Sequence, residues 1–342
     1  MPEAWLPSAS ISVIKERSIL LDRIRNFFRQ QNVLEVETPL LCQYAPTSLH
    51  IDPIAVDLNS HFYNYNKSDN TSNNKLRFLQ TSPEYSMKRL LAAGSGDIFQ
   101  LCKAFRDAEI GNLHNPEFTI LEWYRVGFNH YQLMNDVDNL LKNIFSDSNN
   151  NYTSYKISYR EIFSKYLKLD PVLSSIDDLK KLAVNKIELS DYFKNFLPTA
   201  SKQDVQELLF SNCIEPEITK NHQIWFVYNY PIEQAALAKI AIDQDGVQIA
   251  ERFEVYINGI ELANGYHELL DANLQQERFI DDQKMRQKLG KSNLEIDPYL
   301  IAALNYGMPN CSGVALGVDR LLMIKTQAKS IKEVMCFPWE IA

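Results

Sequence analysis

Residues able to do chemistry are concentrated in one stretch, Phe105-Arg106-Asp107-Ala108-Glu109-Ile110-Gly111-Asn112-Leu113-His114-Asn115-Pro116-Glu117-Phe118-Thr119-Ile120-Leu121-Glu122-Trp123-Tyr124. An Arg closes one apolar run, and a polar loop with Gly111 and an Asn-Pro pair follows. Gly and Asn-Pro are turn chemistry. The second run alternates, Phe118 and Ile120 against Thr119 and Leu121, as a strand does. Strand, loop, strand would present Arg106, His114 and the glutamates to a ligand. The same residues fit an ordinary hairpin whose charges face water.

Three further stretches carry candidate groups. Thr81-Ser82-Pro83-Glu84 has the form of a helix start, with Ser as cap, Pro first and an acid in the first turn. Capping alone would explain Glu84. Near the C-terminus, Glu251–Ile257 and Ile260–Leu269 flank Asn258-Gly259, a strong two-residue hairpin signal. A hairpin can bring Glu254 and Glu261 across from each other, and adjacent inward carboxylates call for a cation. Otherwise they are solvent-side strand charges. Finally, Gly313-Val314-Ala315-Leu316-Gly317-Val318-Asp319-Arg320 sets small residues before an apolar helix. Gly317 permits close backbone approach, and a helix N-terminus suits phosphate. That pattern matches neither a P-loop nor a dinucleotide fingerprint.

The elements that must position these groups follow from periodicity. Ile14 to Phe28 has a helical period, and Val33 to Leu41 reads as a strand with Pro39 near its end. Leu49 to Leu58 reads as a further strand, and Ser60 to Lys75 as an exposed, Asn-rich loop. Ile98 to Phe105 is a strand and Tyr131 to Phe145 an amphipathic helix. About 150–222 reads as a mostly helical insertion with no fixed repeat. Leu274 to Leu289 is a helix most of whose charges form a solvated face, and Asp297-Pro298 opens another.

Composition narrows the class. The chain has 342 residues, 45% of them hydrophobic, which allows a sizeable core in one domain or two. A net charge of −8 argues against a broad nucleic-acid surface. Five scattered cysteines without a CxxC pair suggest neither a zinc site nor a disulfide framework, and fit a reducing cytoplasm. No signal peptide or membrane-spanning run is seen.

Taken together, the chain resembles the catalytic core of class II aminoacyl-tRNA synthetases, an α+β fold with an antiparallel sheet flanked by helices. The helix with Val33–Leu41 and Pro39 resembles their dimer motif. Phe105-Arg106 through Tyr124 resembles the second motif, and Gly313 to Arg320 the third. Thr81-Ser82-Pro83-Glu84, His114 to Thr119 and Glu261-Leu262-Ala263-Asn264-Gly265 have the wording of the lysyl branch. The likeness spans nearly the whole chain as one catalytic domain, with no N-terminal anticodon-binding barrel. Ala315 stands where the synthetases have Gly. These departures resemble a truncated paralogue family, the elongation factor P (R)-β-lysine ligases.

The resemblance implies roles. Arg106 and Arg320 would clamp the phosphates of a bent ATP. Asn115, Leu262, Gly317 and Glu261 would line the nucleotide, and Glu254 and Glu261 would hold magnesium (Mg2+). Ser82, Pro83, Glu84, Glu122, Tyr124, Asn264, Glu268 and Ala315 would surround the amino acid. Asp107 and Ala108 stand where the synthetases carry the Asn-Glu that reaches adenine, so Glu109 or backbone groups would substitute. The implied activity is adenylation of (R)-β-lysine or lysine and its transfer to a lysine of elongation factor P by a cytoplasmic homodimer. A stand-alone enzyme charging tRNA or a small acceptor is the alternative; a catalytically silent binding module is disfavoured because both arginines and the acids remain.

Overall fold

The computed structural model describes residues 5–58, 76–147, 151–188, 191–219 and 223–342. The expected 60–75 loop lies outside them. Two compact units emerge: the first comprises Met1–Gly127, Leu270–Cys311 and Ala315–Ala342, the second Phe128–Leu269 and Ser312–Val314.

The first unit begins with helix α1 (Ile11–Gln30), capped by Ser10, whose hydroxyl accepts from Val13 N. Leu20, Ile24 and Phe28, four residues apart, are fully buried. Phe28 stacks on Phe99 and meets the edge of Trp123. Asn32, at φ 56°, turns the chain out of the helix. The predicted 33–41 strand is broken into β1 (Leu34–Glu35) and β2 (Leu41–Cys42). Pro39, which has no amide to donate, lies in the gap. The predicted 49–58 strand shrinks to β3 (Ala55–Asp57). Upstream of it, the carbonyls of Ser48, Leu49 and Ile51 accept from Arg286 or Lys291 side chains instead.

β4 (Leu76–Leu79) pairs with β2 and β3, and α2 (Glu84–Ala92) follows. β5 (Ile98–Phe105) and β6 (Glu117–Val126) pair antiparallel from Ile98↔Tyr124 to Phe105↔Glu117. The predicted strand–loop–strand is therefore present, with the loop narrowed by a Gly111↔His114 bridge.

The second unit opens with α3 (His130–Ile144), held by a capping box between Asn129 and Gln132. Next come β7 (Thr153–Ser158), which the helical reading of this region does not anticipate, and helices α4 (Tyr159–Leu167), α5 (Ile176–Lys186), α6 (Asp191–Phe196) and α7 (Lys202–Leu209). Tyr159, Phe163, Leu179, Val205 and Phe210 pack with Trp225 and Val227 of β8 (Gln223–Tyr230) into one apolar core. β9 (Ile240–Ile242), β10 (Gln248–Ile257) and β11 (Ile260–His267) complete this unit's sheet. Asn258 and Gly259, both at positive φ, make the predicted hairpin turn between β10 and β11.

The chain then returns to the first unit through α8 (Ala272–Lys288) and α9 (Pro298–Gly307), the latter capped by Asp297. β12 (Cys311–Gly317) belongs in part to each unit, and α10 (Val318–Thr326) closes the pattern. Strand order is β1-β5-β6-β12 in the first unit and β12-β11-β10-β8-β7 in the second. Most pairings are antiparallel; β1–β5 and β7–β8 are parallel. The fold is the expected α+β class.

One charged residue of α8 is an exception. Arg286 does not join a solvated face: it is 0% exposed and donates to Ser48 O, Ser292 O and the Asp52 carboxylate. The guanidinium replaces a missing ladder for the 48–52 backbone, a job its five donors suit.

Candidate functional site

In the first unit, β6 carries Glu122 and Tyr124 two residues apart, hence on one face of the strand. Glu122 is buried and accepts from Ser82 Oγ at 2.6 Å and from Tyr124 Oη at 2.7 Å. Ser82 also accepts from Glu84 N at 3.1 Å, so its hydroxyl joins the start of α2 to β6. Pro83 stands at the cap position, and the helix begins one residue later than the sequence pattern suggests. Burial, reinforced by the nearby charge of Glu84, pushes the Glu122 carboxyl up to about 8. Glu84 is paired with Lys88 at 2.6 Å. The Lys88 ammonium is buried, and sequence reading passed over it although its i,i+4 spacing from Glu84 is the signal for such a pair. Four predicted residues, Ser82, Glu84, Glu122 and Tyr124, thus form one hydrogen-bonded cluster with Lys88 as its cation.

The two predicted arginines also converge. Arg320, in the first turn of α10, donates to His114 Nε2 at 2.6 Å and to Leu113 O at 3.3 Å. Since a guanidinium only donates, Nε2 is the acceptor. Arg106 pairs with Glu109 at 3.5 Å and lies over the Phe118 ring at 5.0 Å. Its Nε is buried and has no hydrogen-bond partner among the described residues. Burial first, then Arg320 and Arg106, hold the His114 imidazole below its usual range, so both cations act on one neutral ring. Two guanidinium groups acting on one neutral ring are a charge arrangement that suits an anion.

Backbone around this pair is tightly held. Asp319 accepts from Arg17 and from Thr119 N at 2.6 Å, and Arg17 also reaches Val334 O at 2.9 Å. Asn115 donates to Glu117 O at 2.7 Å and accepts from Trp339 N at 2.9 Å. Asp107 accepts from Ala108 N, and Ala108 sits at φ 59° in the left-handed region. Gly317 is the residue before α10, and a Cβ there would meet only the Arg320 side chain, no closer than 3.7 Å. Its lack of a side chain is therefore not demanded by the protein's own packing. Ala315 is half-buried on β12.

In the second unit, the hairpin register differs from the expected one. Glu254 stands across from Asn264 and Glu261 across from Tyr256, with a bulge between Val255 and Tyr256. The two acids are therefore not direct cross-strand partners. Both nevertheless act on the same neighbours, adding to the upward shifts of Arg252 and Tyr256. Glu254 accepts from Arg252, Tyr230 (2.7 Å) and Tyr256. Period-two spacing on β10 sets Arg252 and Tyr256 on the face of Glu254, but no spacing pointed to Tyr230. Leu262 is buried at the bulge, and Glu268 is buried just beyond β11. Asn264 Oδ1 is buried without a hydrogen-bond partner among the described residues. A buried acceptor left over in this way is costly unless a ligand supplies the donor.

Comparison with known proteins fits this geometry. The description "tRNA synthetases class II (D, K and N)" matches residues 7–340. An elongation factor P–(R)-β-lysine ligase of Pseudoalteromonas translucida is 45% identical over 333 residues, covering 97% of each chain. The ligase of the same name from Pasteurella multocida is 45% identical over 344 residues, 99% of each chain. That from Edwardsiella ictaluri is 42% identical over 98% of this chain and 97% of its own. The chain belongs to this family of class II ligases.

Magnesium, an ion that takes one or two protein carboxylates together with phosphate oxygens, can be weighed against these acids. The residues fit it chemically: Glu254 and Glu261 offer hard carboxylate oxygens, the donor class this ion takes. Tyr230, Tyr256 and Arg252 fix the orientation of Glu254, the outer support that metal-binding carboxylates require.

Proposed function

We propose that this enzyme uses ATP to activate (R)-β-lysine, or lysine, as an aminoacyl-adenylate and transfers it to a lysine ε-amine of elongation factor P. The observation that supports this most strongly is the near end-to-end likeness to three ligases of that name. It is joined by a buried carboxyl cluster suited to a diamine and a paired-arginine anion site.

The chemistry can be assigned to named side chains. A substrate with two ammonium groups needs carboxylates that are themselves desolvated and oriented. Glu84 and Glu122 supply them, and Ser82 and Tyr124 hold Glu122 in place. Asn264 and Glu268 provide further polar contacts to the amino acid, and Ala315 narrows its space by one methyl group. The substrate carboxylate oxygen attacks the α-phosphorus, and the bond to pyrophosphate breaks. Arg106 and Arg320 offset the charge that builds on phosphate oxygens, so catalysis is placement plus electrostatics with no covalent enzyme nucleophile. Magnesium held by Glu254 and Glu261 would neutralise further phosphate charge. Asn115, Leu262 and Gly317 flank the nucleotide, and Asp107, Ala108 and Glu109 stand at its adenine end. In the second half-reaction the uncharged ε-amine of the acceptor attacks the carbonyl carbon of the mixed anhydride. An amide forms, AMP departs, and the amine loses a proton.

We read the chain as one class II catalytic domain with about 150–222 inserted. We also read it as a cytoplasmic homodimer, joined at the edge where Leu34, Leu40 and Leu41 expose apolar side chains. The test offers labelled (R)-β-lysine or α-lysine with ATP, and either elongation factor P or tRNA as acceptor. Label on a lysine of the protein is expected. Label on tRNA with none on the protein would reject the reading in favour of a tRNA-charging enzyme.

A further inference from the structure

A second cluster of ligand-type side chains lies in the second unit, on the opposite side of β10 from Glu254. Glu251, Phe253 and Val255 alternate with Arg252, Glu254 and Tyr256 along that strand, so Glu251 faces away from the predicted magnesium carboxylates. His267, at the end of β11, projects beside Glu251, with Nδ1 2.6 Å from Glu251 Oε2. His130, the first residue of α3, comes down on them from the helix packed on this face. One ligand atom from each of the three residues lies within 4.8 Å of the other two. The reaction proposed above uses none of them.

The tautomer of His130 is fixed by its neighbours. Asn229 donates through Nδ2 to Tyr131 Oη at 3.0 Å, which leaves its Oδ1 facing His130 Nε2 at 2.9 Å. An amide oxygen only accepts, so Nε2 carries the proton and Nδ1 carries the lone pair. That Nδ1 is buried and has no hydrogen-bond partner among the described residues. His130 itself is 1% exposed. A buried imidazole with one nitrogen donating to a carbonyl and the other presenting an unused lone pair is the arrangement that metal-binding histidines adopt. The Glu251 carboxylate supplies charge, and its side chain keeps enough exposure for an ion to enter.

We propose that His130 Nδ1, a ring nitrogen of His267 and the Glu251 carboxylate bind a divalent first-row transition ion, zinc foremost. Two imidazoles and one carboxylate are a nitrogen-rich set that suits such ions and not magnesium. Donor atoms at roughly 2.0–2.2 Å from a tetrahedral ion are about 3.4 Å apart, so the side chains close in by up to about 1.4 Å on binding. Lys239 Nζ, 3.9 Å from Glu251 Oε2, is half-exposed and swings into solvent as the ion takes its place. The ion would tie α3 to the β10–β11 ends and leave a fourth position for water.

The test uses full-length enzyme stripped with chelator and kept in magnesium buffer. Zinc chloride is titrated calorimetrically, and thermal unfolding is followed with and without zinc. One equivalent should bind at micromolar affinity or better and raise the melting temperature. Glu251→Gln and His130→Gln, each checked by circular dichroism, should weaken binding by at least about tenfold. Crystals soaked in zinc and measured at its absorption edge should show a peak among the three side chains, which decides the matter even if a variant does not fold. No binding, binding unchanged in a folded Glu251→Gln protein, or a peak elsewhere, at the cysteines for instance, would overturn the site.

Discussion

Replacing Glu122 by Gln should alter the pH dependence of both stability and ligand binding. The carboxyl is buried, faces Ser82, Tyr124, Glu84 and Lys88, and is raised from 4.5 to about 8. A group whose folded value lies above its unfolded value keeps a proton that the unfolded chain releases. Its stabilising effect is full below about 4.5 and is lost as pH rises toward 8. Each pH unit inside that window removes up to about 1.4 kcal/mol. Between about pH 5 and 7.5 the wild type should lose on the order of 3 kcal/mol from this group, less whatever Glu84 shares of the effect. Gln has nearly the same shape and can still meet both hydroxyls, but it does not titrate. Urea unfolding of the two proteins across this range should therefore show the variant gaining on the wild type as pH rises. A second readout concerns the ligand. A diamine entering the cluster favours the ionised carboxylate, so lysine binding near neutral pH should release a proton. Calorimetry in two buffers of different ionisation enthalpy measures that proton, and Glu122→Gln should abolish it. Parallel pH profiles together with proton-neutral binding to the wild type would show that Glu122 is not the titrating group.

Arg106→Ala should lower ATP–pyrophosphate exchange by roughly 10²- to 10³-fold, the usual cost of losing one charge-stabilising donor, with little change in urea midpoint; near-normal exchange would remove the residue from the phosphate site. Gly317→Ala should fold normally, because the added Cβ makes only ordinary contact with Arg320. Its ATP affinity should drop in a filter-binding assay, and unchanged affinity would separate Gly317 from the nucleotide. Arg286→Ala should destabilise the protein by roughly 1–3 kcal/mol for each buried acceptor it leaves unpaired, the Ser48 and Ser292 carbonyls foremost, while Asp52 keeps Lys291; a urea midpoint close to wild type would refute that role.

How much of this could be read in advance depended on whether the signal was local. The β10–β11 hairpin was legible because Asn258-Gly259 encodes its own turn, and α1 was legible because its apolar spacing repeats for five turns. Pro39 gave warning of a broken strand only in hindsight: a missing amide is compatible with an edge as well as with a gap. Arg286 was not singled out because a charged residue in a charged helix looks solvated until the 48–52 backbone, more than two hundred positions away, is known to need donors. The Glu122 cluster was half visible. The residues could be named from the likeness to lysyl synthetases, but that one carboxyl would be raised and the other neutralised by Lys88 depends on burial, which no spacing encodes. The His130, Glu251 and His267 trio was not anticipated at all, since it joins a helix start to two strand ends across more than a hundred residues.

Asp319 has a bearing on how the enzyme could be trimmed or tagged. One carboxylate ties Arg17 near the beginning of the chain and the Thr119 amide to the residue preceding Arg320. Removing the opening helix would leave that carboxylate with the Thr119 amide and loosen the hold on the neighbouring guanidinium. The same deletion takes Phe28 off Phe99 and Trp123, the latter set between Glu122 and Tyr124, so a dead N-terminal deletion cannot tell loss of the arginine site from loss of lysine recognition.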